Sequence, residues 1–227
     1  MEIMAGKRYA VITGDIVGSR KFPEKTRRDL HAVMTAGAET LCTVFGDAVP
    51  LEMETYRGDA WQMVVADPVR ALRIGSFYRA FLRSEIRAVK ADSRLAIAVG
   101  TIDFIPGAKV SSGDGEAYRL SGSLLESMPR QQRLSFAFAA KESDDRVAAL
   151  KTVTLLMDVL AANWSEKQAQ AITGALQGWT QEKIATTCWP KPITQQAVAQ
   201  HLDRAGWHAF ESGLSFFEGT LSALVAQ

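Results

Sequence analysis

The chain has 227 residues, 47% hydrophobic and 22% charged, which are ordinary values for a globular protein with a proper core and exclude fibrous and disordered classes. Its formal net charge of +1 provides no global basic field of the kind that advertises nucleic acid or an anionic membrane. The two cysteines, Cys42 and Cys188, are far apart and lack ligand-type spacing, which argues against a disulfide framework or a structural zinc site and fits a reducing compartment.

The N-terminus does not read as a signal peptide, since the apolar stretch after Lys7 and Arg8 is short and runs into Gly14 and Asp15. No apolar run approaches the ~20 residues that span a bilayer. A cytoplasmic protein with no membrane contact is expected. The first strand is predicted over 8–16 (RYAVITGDI), apolar and β-branched and ending at a Gly-Asp pair. From Pro23 to Phe45 the pattern turns helical, with Leu30, Val33, Met34, Ala38 and Leu41 on one side. VPLEMETY (49–56) and AWQMVVA (60–66) read as a hairpin whose turn is Arg57-Gly58-Asp59. Asp67-Pro68 opens a second helix, 94–102 forms another buried strand, 117–128 a shorter helix and 133–139 a last strand. This order predicts an α+β fold with a ferredoxin-like βαββαβ sheet in the first domain, residues 1–140. A charged stretch at 141–146 reads as a linker. Beyond it lies a helical domain, 141–227, with helices at 147–164, 165–177, 180–187, 194–204 and 207–225.

Two acids of the first domain stand where acids are awkward. Asp15 ends a buried strand and Asp59 lies in a hairpin that the predicted sheet brings beside it. Two carboxylates about 4 Å apart repel by ~4 kcal/mol at an effective dielectric near 20, so a shared proton, a basic neighbour or a divalent cation must offset them. Carboxylates together with phosphate oxygens are the usual way Mg²⁺ is held. In the adjoining loop, Gly18 allows close backbone approach, Ser19 and successive amides suit a phosphate, and Arg20 adds a charged fork. Taken singly, an Asp between strand and helix is a common cap, and Gly-Asp is ordinary turn chemistry.

At these residues GDIVGSR resembles the D-I-x-G stretch of class III nucleotide cyclases and palm-type relatives, and YRGDAWQMVV resembles their Gly-Asp hairpin. Those two stretches, with the later GDGEAYRLSGSLLE, also resemble the SatD family of small bacterial proteins. The resemblance covers roughly the first 130 residues. It implies Asp15, Ile16 and Asp59 as ligands of Mg or Mn, and Gly14, Gly18, Ser19, Arg20 and Gly58 around the phosphates of ATP, GTP or a cyclic nucleotide. It also implies a homodimer, because active palm cyclases usually complete their site across one. The chain departs from the cyclase pattern elsewhere. Thr55 stands where the base-recognising lysine falls, and the later helix offers Arg119 and Ser123 but no Asn. Binding is therefore expected over ordinary cyclisation, because the donors that stabilise the transition state are missing. Asp114 and Glu116 read as exposed loop acids before they read as base contacts.

The C-terminal part carries a capping box at Ser165–Gln168, a short capped helix TQEKIA, and ITQQAVAQHLDRAGW after a turn. It resembles a bacterial helix-turn-helix. By that resemblance Gln195, Gln196 and Gln200 would face bases of double-stranded DNA, and His201 and Arg204 its phosphates. The connection around Cys188-Trp189-Pro190-Lys191-Pro192 is longer than usual. Residues 143–227 hold six Lys and Arg against eight Asp and Glu, a poor balance for phosphate neutralisation. The apolar stripe Phe210, Leu214, Phe217, Leu221 and Leu224 suits a core or a dimer seam. The expected function is a DNA-binding regulator whose palm senses a nucleotide and a metal. The alternatives are an active nucleotidyl cyclase or transferase and a degenerate interaction scaffold.

Overall fold

The run of β-branched and apolar residues at the start becomes the central strand, β1 (Arg8–Ile16). The structure, a computed structural model, describes every residue except 57, 88, 140–143 and 227. With β2 (Glu54–Tyr56), β3 (Ala60–Val65), β4 (Ser93–Thr101) and β5 (Leu134–Phe138), β1 forms a five-stranded sheet in the order β2-β3-β1-β4-β5. β1 is antiparallel to both β3 and β4, and β5 runs parallel to β4. In this register Asp15 lies opposite Ala60 on one side and Arg94 on the other.

The strand period of two sorts the residues of β1 between two cores. Ala10, Ile12 and Ile16 pack with α1 (Glu24–Phe45) and α2 (Ala71–Glu85). Tyr9 and Val11 pack on the other face with Ala117 and Tyr118 of α3 (Glu116–Ser127). With both faces covered, a charged side chain of β1 has room only at the strand ends.

The strand expected over 49–56 shrinks to Glu54–Tyr56. The amides of Ala48 and Val49 both donate to the Phe45 carbonyl, at 2.8 and 2.7 Å, prolonging the last turn of α1. Val49, Leu51 and Met53 are buried without strand pairing. Asp67 accepts from the Val69 amide at 3.2 Å, so a 3₁₀ turn at Pro68–Arg70 precedes α2.

The helical part comprises α4 (Asp145–Ala162), α5 (Glu166–Leu176), α6 (Gln181–Thr187), α7 (Gln195–Arg204) and α8 (Trp207–Val225). Of the linker expected at 141–146, residues 141–143 lie outside the described ones. Asp144 caps α4 instead, accepting from the Arg146 amide. These helices share one apolar core with the sheet: α5 packs on α2, and α4 packs on β5 and α8. Phe210, Leu214, Phe217, Leu221 and Leu224 are at most 4% exposed, so the α8 stripe is spent inside the chain. Among the described residues no helix is long and apolar enough to cross a membrane.

Buried ions fasten the junction. Arg79 of α2, 2% exposed, donates to both oxygens of Asp92 at 2.8 and 2.9 Å and to Asp158 of α4 at 2.7 Å. Arg83 donates to the carbonyls of Ala161, Ala162 and Trp164 at 2.7 to 3.1 Å, capping the C-terminus of α4 with positive charge. Burial alone would raise the Asp92 carboxyl, but Arg79, Arg83 and the Ser93 amide hold it below its ordinary range. Arg79→Ala leaves two shielded carboxylates without their shared cation. We expect a loss of about 3–5 kcal/mol, read as a fall in the urea midpoint.

Candidate functional site

The C-terminal end of β1 opens onto a cavity of about 300 Å³ lined by Ser19, Arg20, Arg27, Leu30, Gly58 and Asp59. Three segments build it. The chain leaves β1 through Gly18, whose φ of 68° and ψ of 19° are left-handed, and enters a 3₁₀ turn at Ser19–Lys21. α1 follows and supplies Arg27 and Leu30. The β2–β3 turn contributes Gly58, at φ 90°, and Asp59, whereas Arg57 of that turn lies outside the described residues. A second hollow of about 260 Å³ shares Leu30 with the first and reaches Val33 and Ile86.

Within this region the Ser19 hydroxyl donates to Oδ2 of Asp59. Asp15 is held otherwise. Arg94, its cross-strand partner on β4, donates from Nε to Oδ1 at 2.9 Å and from Nη2 to Oδ2. The pair is partly shielded, with side chains 31% and 23% exposed. The hydrogen bond to Asp15 raises the Arg94 guanidinium above its ordinary value, and the charges of Asp15 and Asp59 add to the rise. Asp59 therefore acts on the same guanidinium as Asp15. A partly exposed pair of this kind adds only about 0–1 kcal/mol to stability. Its greater effect is to occupy Asp15.

This occupancy decides how the residues suit a divalent cation. Mg²⁺ needs free oxygen ligands in near-octahedral array. Both oxygens of Asp15 are on a guanidinium and one oxygen of Asp59 accepts from Ser19. The donor set expected from Asp15, Ile16 and Asp59 does not fit a cation held between two carboxylates while Arg94 is in place. Among the described residues no group of three or more His, Cys, Asp or Glu is placed to hold a metal. Arg94 is a basic neighbour of Asp15, one of the three ways to offset its charge.

Among the described residues that line the mouth, Arg20 and Arg27 stand against Asp59, while Asp15 and Arg94 pair with each other beside it. Arg20 and Arg27 form no ion pair with a described residue and are exposed. Arg27 and Arg94 are absent from the site as read from sequence. Arg27 follows Arg20 by two helical turns' worth of chain. Arg94 is recognisable only once the strand register is known.

Other expected residues lie elsewhere. Arg119 pairs with Asp114 at 2.8 Å, beside the end of β4 that faces Arg8. Across the eight steps from Arg8 to Ile16 the sheet spans roughly 25 Å, so Arg119 is remote from the mouth. Glu116 lies 3.4 Å from the Thr101 amide at that same end. Thr55, on edge strand β2, lines a different hollow, of about 620 Å³, with His31, Glu52 and Lys109.

In the helical part, Thr194 caps α7 by accepting from the Ala197 amide. Val198 and Leu202 are buried, while Gln195, Gln196, Gln200 and Arg204 are exposed. His201 stacks on Trp189, with centroids 6.0 Å apart. Burial, then Lys167 and Arg204, hold its imidazole below the usual range. That shift disfavours the charged imidazole in the protein alone.

Gly14 fixes the approach of the strands beside Asp15. A Cβ there would stand 2.5 Å from the Arg94 carbonyl oxygen and closer still to the buried Trp61 ring. Gly14→Ala is expected to cost about 1–3 kcal/mol by overpacking, seen as a lower thermal midpoint with the far-UV spectrum retained.

No family model matches the chain, and no curated protein matches it in sequence. Among solved structures it is similar to the guanylyl cyclase Cya2, with 13% identity and a TM-score of 0.41, over 56% of this chain and 73% of that one.

Proposed function

We propose that the first domain is a ferredoxin-like palm that binds the phosphate end of a nucleotide at the mouth beside β1, as a sensor and not as a cyclase. The observation carrying this reading is a cavity of about 300 Å³ lined by two guanidinium groups, Arg20 and Arg27, that have no ion-pair partner among the described residues. Free guanidinium forks match phosphate oxygens, and Ser19 supplies a hydroxyl next to a left-handed glycine turn. The volume lies at the low end for ligand sites and suits phosphates better than a whole nucleotide. The hollow that shares Leu30 offers Val33 and Ile86 as an apolar rest for a base or ribose. The motif likeness of GDIVGSR and YRGDAWQMVV to nucleotide cyclases points to the same ligand class. Turnover is disfavoured because Arg119, the one basic candidate on the later helix, is engaged by Asp114 far from the mouth.

Ligand that binds only the folded state raises stability by about 2.7 kcal/mol at a hundredfold excess over Kd. We expect ATP or GTP to raise the thermal midpoint of the protein. Arg20→Ala and Arg27→Ala should each weaken binding by at least about tenfold, as loss of a charged hydrogen bond does. An unchanged shift in the double variant would remove the mouth as the binding site.

A second reading concerns α7, where Gln195, Gln196 and Gln200 are exposed opposite the buried Val198 and Leu202. That face is free for the helix-turn-helix role, in which a nucleotide-responsive regulator reads double-stranded DNA. The connection from α6 to α7 spans 188–194, and the local charge is mildly acidic, so few phosphate contacts would support it. Selected DNA sites should lose affinity by roughly 10-fold or more when Gln195 and Gln196 become Ala, because each bidentate base contact contributes about 1–3 kcal/mol. Mobility shifts of equal strength for the variant would rule out α7 as a reading helix.

A further inference from the structure

We infer that Arg94 stands in for a divalent cation in this palm, so that the mouth takes its anionic ligand without metal and excludes metal as long as Arg94 is in place. The inference rests on the nucleotide-phosphate reading for its ligand, and on the geometry of Asp15 for everything else.

The sheet dictates the arrangement. Asp15 and Arg94 are Cα partners in the β1–β4 ladder, so their side chains leave the same face of the sheet side by side. Gly14 allows the closest approach of β1 to the Arg94 backbone at the preceding position. The guanidinium then meets the carboxylate in the two-pronged fashion its planar fork favours, one nitrogen to each oxygen. A carboxylate that accepts a guanidinium on both oxygens leaves a dication only its remaining lone pairs, directly beside a fixed positive charge. Asp59 is in the same field, with one oxygen already accepting from Ser19.

The charge count leads to the same conclusion. Without Arg94, Asp15 and Asp59 would both present uncompensated negative charge near the mouth. Arg94 cancels the charge of Asp15, which leaves Asp59 against Arg20 and Arg27, a net +1 among the described residues that line the mouth. A site with positive charge repels a free dication and attracts a polyphosphate. Arg94 thus supplies, from within the fold, the charge that a bound metal would supply from solution. It is a positioning residue, acting through Asp15 and through the field over the mouth.

The experiment compares metal and nucleotide separately. Mn²⁺ alone is titrated into the full chain and followed by electron paramagnetic resonance, and ATP is titrated calorimetrically in excess EDTA and again with Mn²⁺. The wild-type protein should take up no Mn²⁺ and should bind ATP with affinities that agree within about twofold in the two buffers. Arg94→Met frees both oxygens of Asp15, and this variant should acquire Mn²⁺ binding that the further change Asp15→Asn abolishes. Stoichiometric Mn²⁺ on the wild type, or a tenfold gain in ATP affinity on adding metal, overturns the inference while the phosphate site stands. A folded Arg94→Met chain that takes no Mn²⁺ also overturns it. If ATP fails to bind in either buffer, the nucleotide reading falls, and the Mn²⁺ titrations still judge Arg94 on their own. Should Arg94→Met not fold, the two wild-type titrations alone decide whether the mouth works without metal.

Discussion

The antiparallel pairing of β1 on both sides sets the geometry on which the site depends. β1 is buried on both faces, and a slip of one residue against either neighbour would exchange its two cores. Alternating cores therefore fix the register, and the register in turn fixes Asp15 opposite Arg94 and next to the turn that bears Asp59. The electrostatics of the mouth are thus a by-product of where Ala10, Val11 and Ile12 must point. Hydrophobic burial positions the charges, because the charged pair itself is too exposed to position anything.

A second constraint joins the sheet to the helices. Asp92 precedes β4 and serves two structures at once. Its carboxylate receives Arg79 and Arg83, which extend to Asp158 and to the end of α4. Its carbonyl accepts from the Val17 amide at 2.8 Å, in the segment that leads into the mouth. Buried ions of this kind seldom add net stability over an apolar filling, since desolvation offsets most of the attraction. They do demand one geometry, and here that geometry seats α4 and α5 on α2.

Much of this fold can be read from local pattern. The periodicity of 8–16, the capping box at Ser165, the Thr194 cap and the α8 stripe each declare an element within a few residues of its observed bounds. The strand at 49–56 misleads because Val49, Leu51 and Met53 are buried by a loop, and burial and pairing look alike in a short apolar run. The site is legible by half. Ser19, Arg20, Gly58 and Asp59 fall on motif and turn chemistry and do line the cavity. Arg94 could not be found this way, since its role depends on a pairing across 79 residues that no local rule encodes. The same holds for Arg79, which sits in an apolar helical stretch and is indistinguishable there from an exposed arginine until Asp92 and Asp158 are brought to it.

The mouth combines an open rim with a fixed pair of charges beside it. Next to the cavity, Asp15, Arg94 and the Val17–Asp92 bond are all tied to the ladder of β1 and β4. Gly58 lines the rim and Gly18 precedes the lining Ser19; both have positive φ, and a Cβ at either would meet no atom within 4 Å. These glycines serve conformation and not close packing, in contrast to Gly14, which is squeezed between Trp61 and Arg94. A binding site gains when the groups that set charge are held before the ligand arrives, because little ordering then remains to oppose association. The backbone at the rim, by contrast, needs only open space beside it. Residues 14 to 20 divide these tasks within seven positions: strand-locked charge at one end, left-handed turn and hydroxyl at the other, and Arg20 beyond them facing the cavity.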